Sequence, residues 1–337
     1  MNIYEIAKKC GVSVATISRA MNPQTRHKVA AQTLSKIDAL VKRHQYTPNL
    51  AARNLGSGTF STVGVLLPHF EGIFFSDYYT KVLAGVADAL FASPYHFKLI
   101  MLRSGGQRWD DYNFKLAEGV DGLVVSHWPN FFSQTSVFKR LGLPCVVIND
   151  PEPRTAAYFV AGDNRQGGEL MAKHLYERGH KRMLILAGEC WSSDSRLRIE
   201  GFTEFLKSAG LKTKPAILPG DFQERRAEEL VRDYLSKHRE ITAIACCNDL
   251  MACGTLAALR TLGLRCPDDV SVIGFDDDSR AALSDPPLTT IRIPLYEMSR
   301  DGTRRLLQTL DKKQTEPCVG QAIFPVQLVE RKSVAKI

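Results

Sequence analysis

The spacing of apolar positions changes character twice along the chain. In the first twenty-odd residues Ile6 and Cys10 share one helical face, Gly11 can take a left-handed turn, and Ser13 can cap a second helix. Ile17, Ala20 and Met21 give that helix a single apolar stripe, so Val14, Ala15, Thr16 and Arg19 point elsewhere. A third helix is predicted over 30–44, where Ile37, Leu40, Val41 and His44 recur at helical spacing. The breakers Pro23 and Pro48 bracket this region. Residues 49–55 form about two turns of mostly good helix formers that stop at Gly56-Ser57-Gly58, and so short a helix orders only against a partner.

After Thr62 the pattern becomes β-branched apolar runs alternating with amphipathic segments. Strands are predicted over 63–67, 97–101, 122–125, 145–148, 183–186, 243–246 and 270–273, with helices over 77–91, 166–177, 198–209, 224–237 and 250–262. Continuous apolar strands separated by helices point to parallel sheets covered on both faces. Seven such strands predict an α/β body of two doubly wound parallel-sheet subdomains behind an all-α head. Ligands in such folds bind beyond the carboxyl ends of the strands.

Composition narrows the class. The chain has 337 residues, 44% of them hydrophobic, enough for a sizeable core and roughly two domains. It has no apolar run of about 18 residues, and Met1 to Glu5 lacks the basic-then-apolar layout of a secretory signal, so a soluble cytoplasmic protein without membrane contact is expected. The formal net charge is +8. In the first sixty residues Lys8, Lys9, Arg19, Arg26, Lys28, Lys36, Lys42, Arg43 and Arg53 face only Glu5 and Asp38, which is 9 minus 2, or +7, leaving +1 for the rest. Such asymmetry marks a nucleic-acid module on an ordinary globular body, although a solvated basic tail gives the same sum.

Eight cysteines (10, 145, 190, 246, 247, 253, 266 and 318) include no pair at C-x2-C or C-x4-C spacing, so free thiols and no zinc are expected. Asp276-Asp277-Asp278 cannot converge on one ion, and Ser333-Val334-Ala335-Lys336 fits S-x-x-K by chance at a polar end. No phosphate loop, G-x-S-x-G elbow or H-E-x-x-H occurs. Neither a cofactor, a metal nor a catalytic set is expected.

From Ile6-Ala7 through Gly11-Val12-Ser13-Val14-Ala15-Thr16-Ile17-Ser18-Arg19 the sequence resembles the DNA-binding head of the lactose/galactose repressor (LacI/GalR) family. Tyr46-Thr47-Pro48-Asn49, Ala52-Arg53 and Leu55 resemble that family's hinge. The likeness continues through Asp163-Asn164, Gly179-His180, Arg198-x-x-Gly201-Phe202, Asn248-Asp249, Gly274-Phe275-Asp276-Asp277 and Pro287-Leu288-Thr289-Thr290-Ile291, nearly the whole chain. It implies a helix-turn-helix domain at 1–48, a hinge helix and linker at 49–61, and an effector-binding and dimerisation domain at 62–337. The last would have two lobes with crossovers near 161–163, 290–294 and 321–326.

The resemblance further implies a homodimeric repressor on a pseudo-palindromic DNA operator, with recognition helices in two major-groove half-sites and hinge helices in the minor groove between them. Arg19 can bond bidentately to guanine, Val14 and Ala15 can only meet a thymine methyl or admit the groove wall, and Thr16 and Ser18 suit phosphate oxygens. Asn22, Tyr46, Asn49, Ala52 and Arg53 complete the expected contact set, with Leu55 as a wedge in the central base step. Ala30 departs from the family's usual capping Ser. The loop before it is slightly long and basic, and Arg26, His27 and Lys28 serve either as phosphate contacts or as a solvated loop.

For the effector, family position assigns Arg198, Asn248 and Asp276 to hydrogen bonds with adjacent hydroxyls, all from loops after strands. Asn149 would reach in from the other lobe, and Phe74, Phe75 and Phe222 would form aromatic walls; Trp191, at another strand end, joins the set on its own placement. A sugar or sugar derivative is the expected effector. Other readings are a protein partner, a phosphorylated metabolite or a nucleoside in the same architecture, and a solute-binding protein of a transporter, which the basic head opposes. The chain's end lacks the leucine heptads of a tetramerising coiled coil, so a dimer is expected.

Overall fold

A computed structural model describes residues 1–22, 25–46, 59–69, 71–103, 118–126, 142–149, 157–311 and 318–337. They form two compact units, Met1–Phe60 and Ser61–Ile337.

In the first unit, α1 (Ile3–Cys10) opens with a reciprocal cap: Glu5 N donates to Asn2 Oδ1 at 3.0 Å and Asn2 N donates to Glu5 Oε2 at 3.1 Å. Gly11 takes a left-handed conformation, φ 66°, and turns the chain into α2 (Val14–Met21). A short 3-10 turn (Arg26–Lys28) leads to α3 (Ala31–Arg43). Ala30 gives that helix no side-chain cap, as its methyl dictates. Ile6, Ala7, Ile17, Ala20, Val29 and Ile37 are the buried centre of this three-helix unit. Of the α3 positions picked out by periodicity, only Ile37 is fully buried; Val41 packs at its edge beside Leu34.

The second unit is two lobes. Lobe 1 contains β1 (Thr62–His69), α4 (Asp77–Phe91), β2 (His96–Arg103), β3 (Gly122–Ser126), β4 (Cys145–Ile148) and β5 (Tyr158–Gly162). Lobe 2 continues with α5 (Asn164–Glu177), β6 (Met183–Ala187), α6 (Ser193–Ser208), β7 (Ala216–Pro219), α7 (Glu224–Leu235), β8 (Ala243–Cys246), α8 (Asp249–Thr261), β9 (Ser271–Asp276), α9 (Ser279–Leu283) and β10 (Thr289–Arg292). The chain then returns to lobe 1 as α10 (Leu295–Leu310) and β11 (Gly320–Phe324), and ends in lobe 2 with β12 (Gln327–Val329). Lobe 1 is a parallel six-stranded sheet in the order β11-β5-β4-β3-β1-β2. Lobe 2 has the order β12-β10-β9-β8-β6-β7, parallel except for β12 against β10.

All seven strands expected from apolar runs are present. Five strands are not among those expected: β7 and β11 alternate half-buried and exposed positions, β12 has only three residues, β10 (Thr289–Arg292) is short and begins with two threonines, and β5 is buried over 159–162 between β11 and β4. All but β5 lack a continuous apolar signal. The chain crosses between the lobes after β5, after β10 and between β11 and β12. The three crossing segments meet where a Cβ on Gly162 would stand 2.6 Å from Ile293 and 3.4 Å from Val326. Glycines also set the helix approach in lobe 2: a Cβ on Gly168 would meet Arg198 O at 1.9 Å, and one on Gly201 would meet Arg165 O at 2.0 Å. That reciprocal contact draws α5 against α6 and fixes where Arg198 stands. Among the described residues no helix is long and apolar enough to cross a membrane.

Candidate DNA-reading surface and effector cleft

On α2 the core side and the free side separate cleanly. Ile17 and Ala20 are buried, while Ala15, Ser18 and Arg19 are exposed together, one helical turn apart. Ser13 Oγ accepts from Thr16 N at 3.2 Å and lies 3.0 Å from Thr16 Oγ1, so the Thr16 hydroxyl also belongs to the cap. Val14 is half-buried against the headpiece core, and so is Tyr46, whose ring packs there. Asn22 ends the helix, its backbone N–H donating to Ser18 O and Arg19 O. Arg26 donates to Ala20 O at 3.0 Å and pairs with Asp38, which uses its cation to tie the turn to α2 and α3. His27 and Lys28 remain exposed beside it. Asn49, Ala52, Arg53 and Leu55 lie outside the described residues.

In the body, the carboxyl ends of β3, β4 and β9, with the first turns of α4, α5 and α6, bring polar side chains together between the lobes. Asn149 directly follows β4 with φ 60°, a left-handed conformation that asparagine tolerates. Its Nδ2 donates across the cleft to Asp194 Oδ2 at 2.6 Å. Asp194 Oδ1 accepts from Asn164 Nδ2 at 3.0 Å, and Asn164 Oδ1 accepts from Arg198 Nε at 2.7 Å. The Arg198 guanidinium lies 3.7 Å from the centroid of the Phe275 ring, donates to Cys247 O, and reaches Asp276 Oδ1 at 3.6 Å. Four expected site residues are thus placed as follows: Asn149, Arg198 and Asp276 join one network, while Asn248 stands apart from its hydrogen bonds.

Asn248 caps α8 by accepting from Met251 N at 2.9 Å and donates to Phe222 O at 3.3 Å. Both ends of its amide are thereby engaged with the chain. Phe222, at φ 58°, lays its ring over Gly188, where a Cβ would collide at 2.1 Å. Trp191 is half-buried just before α6. Phe74 and Phe75, in a 3-10 turn ahead of α4, are 49% and 93% exposed. One expectation needs correction: Arg198 does not come from a loop. It sits in the second turn of α6, which begins soon after β6 because Ser192 caps it by accepting from Ser195 N.

Residues that sequence reasoning did not single out complete the cleft. Tyr78 on α4 lies beside Asn149 and Ser126, near enough to Asp194 and Asp276 for both charges to bear on it. Burial pushes its phenol well up from the ordinary value, and Asp194 acts in the same direction. Ser126, the last residue of β3, is fully buried. Asn164 belongs to the Asp163-Asn164 pair of the family resemblance, and Asp194 is marked in the sequence only by its place among the serines ahead of Arg198.

Burial also pushes the Asp276 carboxyl up to about 6, against the pull of Arg198 and Lys81. The backbone there is unusual, with Asp276 at φ 104° and Asp277 at φ 51°. Two arginines stabilise the turn, Arg292 and Arg331, each donating to Asp277 at 2.7 Å. Beneath it, the buried carboxylate of Asp249 accepts from Thr290 Oγ1 at 2.6 Å and from Asp278 N at 2.8 Å. Among the described residues no group of His, Cys, Asp and Glu could hold a metal ion.

A helix-turn-helix headpiece joined to a two-lobed body with a polar cleft defines a ligand-responsive DNA-binding regulator. Residues 2–49 match the bacterial regulatory proteins of the lacI family, and residues 172–334 match a periplasmic binding protein-like domain. The chain is 30% identical over 338 residues to the HTH-type transcriptional repressor PurR of Haemophilus influenzae (strain PittEE), covering 99% of each. To the repressor of the same name from Photobacterium profundum it is 32% identical over 335 residues, 98% of each. In structure it is similar to the lac repressor dimer bound to operator and the anti-inducer ONPF, with a TM-score of 0.86, 26% identity and 99% of each chain covered. It is also similar to the transcriptional regulator CelR in complex with cellobiose, with a TM-score of 0.75 and 25% identity over 99% of each chain. The chain belongs to the LacI family of DNA-binding transcriptional repressors.

Proposed function

We propose that this repressor binds a pseudo-palindromic operator as a homodimer and that a small molecule held between its lobes sets operator affinity. The observation that carries the effector half is the buried polar set on facing walls of one cleft: Tyr78, which interacts with Asn149 and Ser126 in lobe 1, opposite Asp276 in lobe 2, whose buried Oδ1 has no hydrogen-bond partner. Each such atom costs about 1–3 kcal/mol in a folded protein. A ligand that donates to Asp276 Oδ1 and meets the Tyr78, Ser126 and Asn149 group opposite it accounts for so polar a buried wall.

In this reading residues 1–48 read DNA through Ala15, Ser18 and Arg19, with Val14, Thr16, Asn22 and Tyr46 supporting α2 and its surroundings. Residues 49–61 form the hinge, with Leu55 as the minor-groove wedge and Asn49, Ala52 and Arg53 along the backbone. The effector changes the angle between lobes through the segments that meet at Gly162, Ile293 and Val326, and so the spacing of the two hinges. Only its differential affinity for the two lobe arrangements moves that equilibrium. A sugar is one candidate, supported by the cellobiose complex of CelR; the relatives named PurR give that identity no support, so the cleft's own chemistry must define the effector.

The test separates the halves. With an operator selected from a randomised duplex pool, Leu55→Ala should lose most specific affinity while ligand binding persists. Asp276→Ala should bind operator normally and lose the ligand response. A normal response in Asp276→Ala would place the effector elsewhere.

A further inference from the structure

The amino ends of the lobe-2 strands carry a chemistry unlike that of the cleft. β6, β7, β8 and β9 run parallel, so the segments leading into them emerge at one end of the sheet. Leu184 is in register with Ala216, which sets Lys214 level with Arg182 two residues earlier. Thr242 N donates to Arg182 O at 3.0 Å and Ser271 N to Thr242 O at 3.0 Å, carrying the ladder on to β8 and β9. Residues 335–337 lie across the same end: Ala335 N donates to Ser271 Oγ at 3.0 Å, His180 Nε2 is 3.2 Å from Ala335 O, and Ile337 N donates to Arg178 O at 2.8 Å.

Lys181, Arg182, Lys214, Lys237, Arg239 and Lys336 are all exposed at this end, and none is in an ion pair with a described residue. The acids nearby are largely taken. Asp268 and Asp269 pair with Arg265, and Glu330 pairs with Arg178. Glu240, with an oxygen 3.3 Å from His238 Nδ1, is the remaining acid of these loops. Beyond the first sixty residues the chain sums to only +1, so positive charge is segregated to this pole and not spread over the body.

The form of the array indicates what it holds. With strands about 4.8 Å apart, the row from β7 to β9 is about 14 Å wide, room for several phosphates of one duplex. Thr213 and Ser236 stand exposed among the cations, small hydroxyls where a protein partner would find aromatic anchors. Lysine and arginine with small hydroxyls is the set that contacts phosphate oxygens. The chain enters the body at Thr62, where β1 starts at the amino end of the lobe-1 sheet. Since the carboxyl ends of both sheets face the cleft, the two amino ends are opposite poles of the body.

We propose that the lobe-2 pole is a second nucleic-acid contact: it holds the phosphate backbone of a duplex other than the operator, without reading sequence, so that one repressor bridges two stretches of DNA. This rests on operator binding by the headpiece and not on the effector reading. Once operator is bound, a distant stretch of the same DNA is at raised effective concentration, so a weak contact suffices.

The test uses the full chain on an immobilised operator duplex selected from a randomised pool. A fluorescent duplex of scrambled sequence is added, and its capture is read per repressor retained. Wild type should capture it at low salt. Three phosphate contacts give a slope near −2.7 for log affinity against log salt, so affinity for the second duplex should fall roughly fortyfold between about 50 and about 200 mM salt. Arg182→Gln/Lys214→Gln/Arg239→Gln should keep wild-type operator affinity and melting temperature and lose the capture. Lys181→Gln/Lys237→Gln, on the same loops, should lose most of it, and answers the question should the triple variant melt early. No capture by wild type overturns the proposal. So does equal capture by both variants, which would put the second duplex on the headpiece. Fluorescent poly-glutamate captured in place of the duplex, and lost in the triple variant, would make this pole the seat of an acidic protein and overturn the assignment to DNA.

Discussion

Asn149 in lobe 1 donates its side-chain amide to Asp194 in lobe 2 at 2.6 Å. The bond closes the middle of the cleft with the protein's own groups, and the same carboxylate also holds Asn164. Asp194→Ala would leave the two amide groups without their shared acceptor, although Asn164 keeps a weaker contact to Gly162 O at 3.3 Å. A loss of about 1–3 kcal/mol in unfolding free energy is expected. Small-angle scattering should show a larger radius of gyration for the variant as the lobes separate. Unchanged scattering with lowered stability would confine Asp194 to holding α5 and α6 in place.

Asp276 makes a different prediction, because its carboxyl is raised from 3.8 to about 6. A carboxyl raised by folding contributes stability that is complete below its unfolded value and is lost as pH rises through the folded one. Above about pH 6 the ionised group therefore costs the fold, on the order of 3 kcal/mol at roughly 1.4 kcal/mol per unit. Asp276→Asn should then be more stable than wild type at pH 7 and equal to it near pH 4, measured by urea unfolding across that range. A variant less stable at pH 7 would show that the pairing with Arg198 outweighs burial.

Much of the body could be read from sequence because its signals are local. β3, β4 and β8 are buried along their whole length and appear as unbroken apolar runs. In the headpiece Gly11 and Ser13 announce a turn and a cap by residue type, whereas Asn248, expected to meet the effector, caps α8. The cleft was legible only in part, since a buried hydrogen bond such as Asn149 to Asp194 joins residues 45 positions apart. Tyr78 illustrates the difficulty: on an amphipathic helix its ring reads as core, and only the packed structure brings its hydroxyl beside Asn149 and Ser126. Arg198 was recognised by its motif but misplaced on a loop, because Ser192 starts α6 earlier than the apolar pattern alone indicates.

The base of lobe 2 contains a second titrating site with the opposite sign. His174 on α5 is lowered from 6.5 to about 4 by burial and by Arg178, whose Nη1 lies 3.0 Å from Nδ1, while Glu330 and Glu177 pull it upward. His180 nearby is lowered by burial too and contacts Thr242 and Ala335 O. A histidine lowered by folding contributes stability that is complete above its unfolded value and lost as pH falls toward the folded one. Melting temperature should therefore drop between pH 6.5 and 4, and His174→Gln should flatten the drop. An equal pH dependence in the variant would assign the acid sensitivity to other groups.

The headpiece arginines can be separated by salt. Arg19 is exposed on the free face of α2, whereas Arg26 is already paired with Asp38 and bonded to Ala20 O. Each phosphate contact contributes about 0.9 to the slope of log affinity against log salt. If Arg26 serves the fold alone, Arg26→Gln should lower the headpiece melting temperature and leave the slope unchanged. Lys28, exposed beside it, should reduce the slope by about one unit on substitution by alanine if it meets a phosphate. Arg19→Ala should instead relax sequence preference, since a bidentate contact to guanine is worth about 1–3 kcal/mol of discrimination. Anisotropy titrations on selected and scrambled duplexes at several salt concentrations measure all three variants. A uniform loss on both duplexes for Arg19→Ala would make that residue a phosphate contact, and α2 would then read DNA through Ala15 and Ser18 alone.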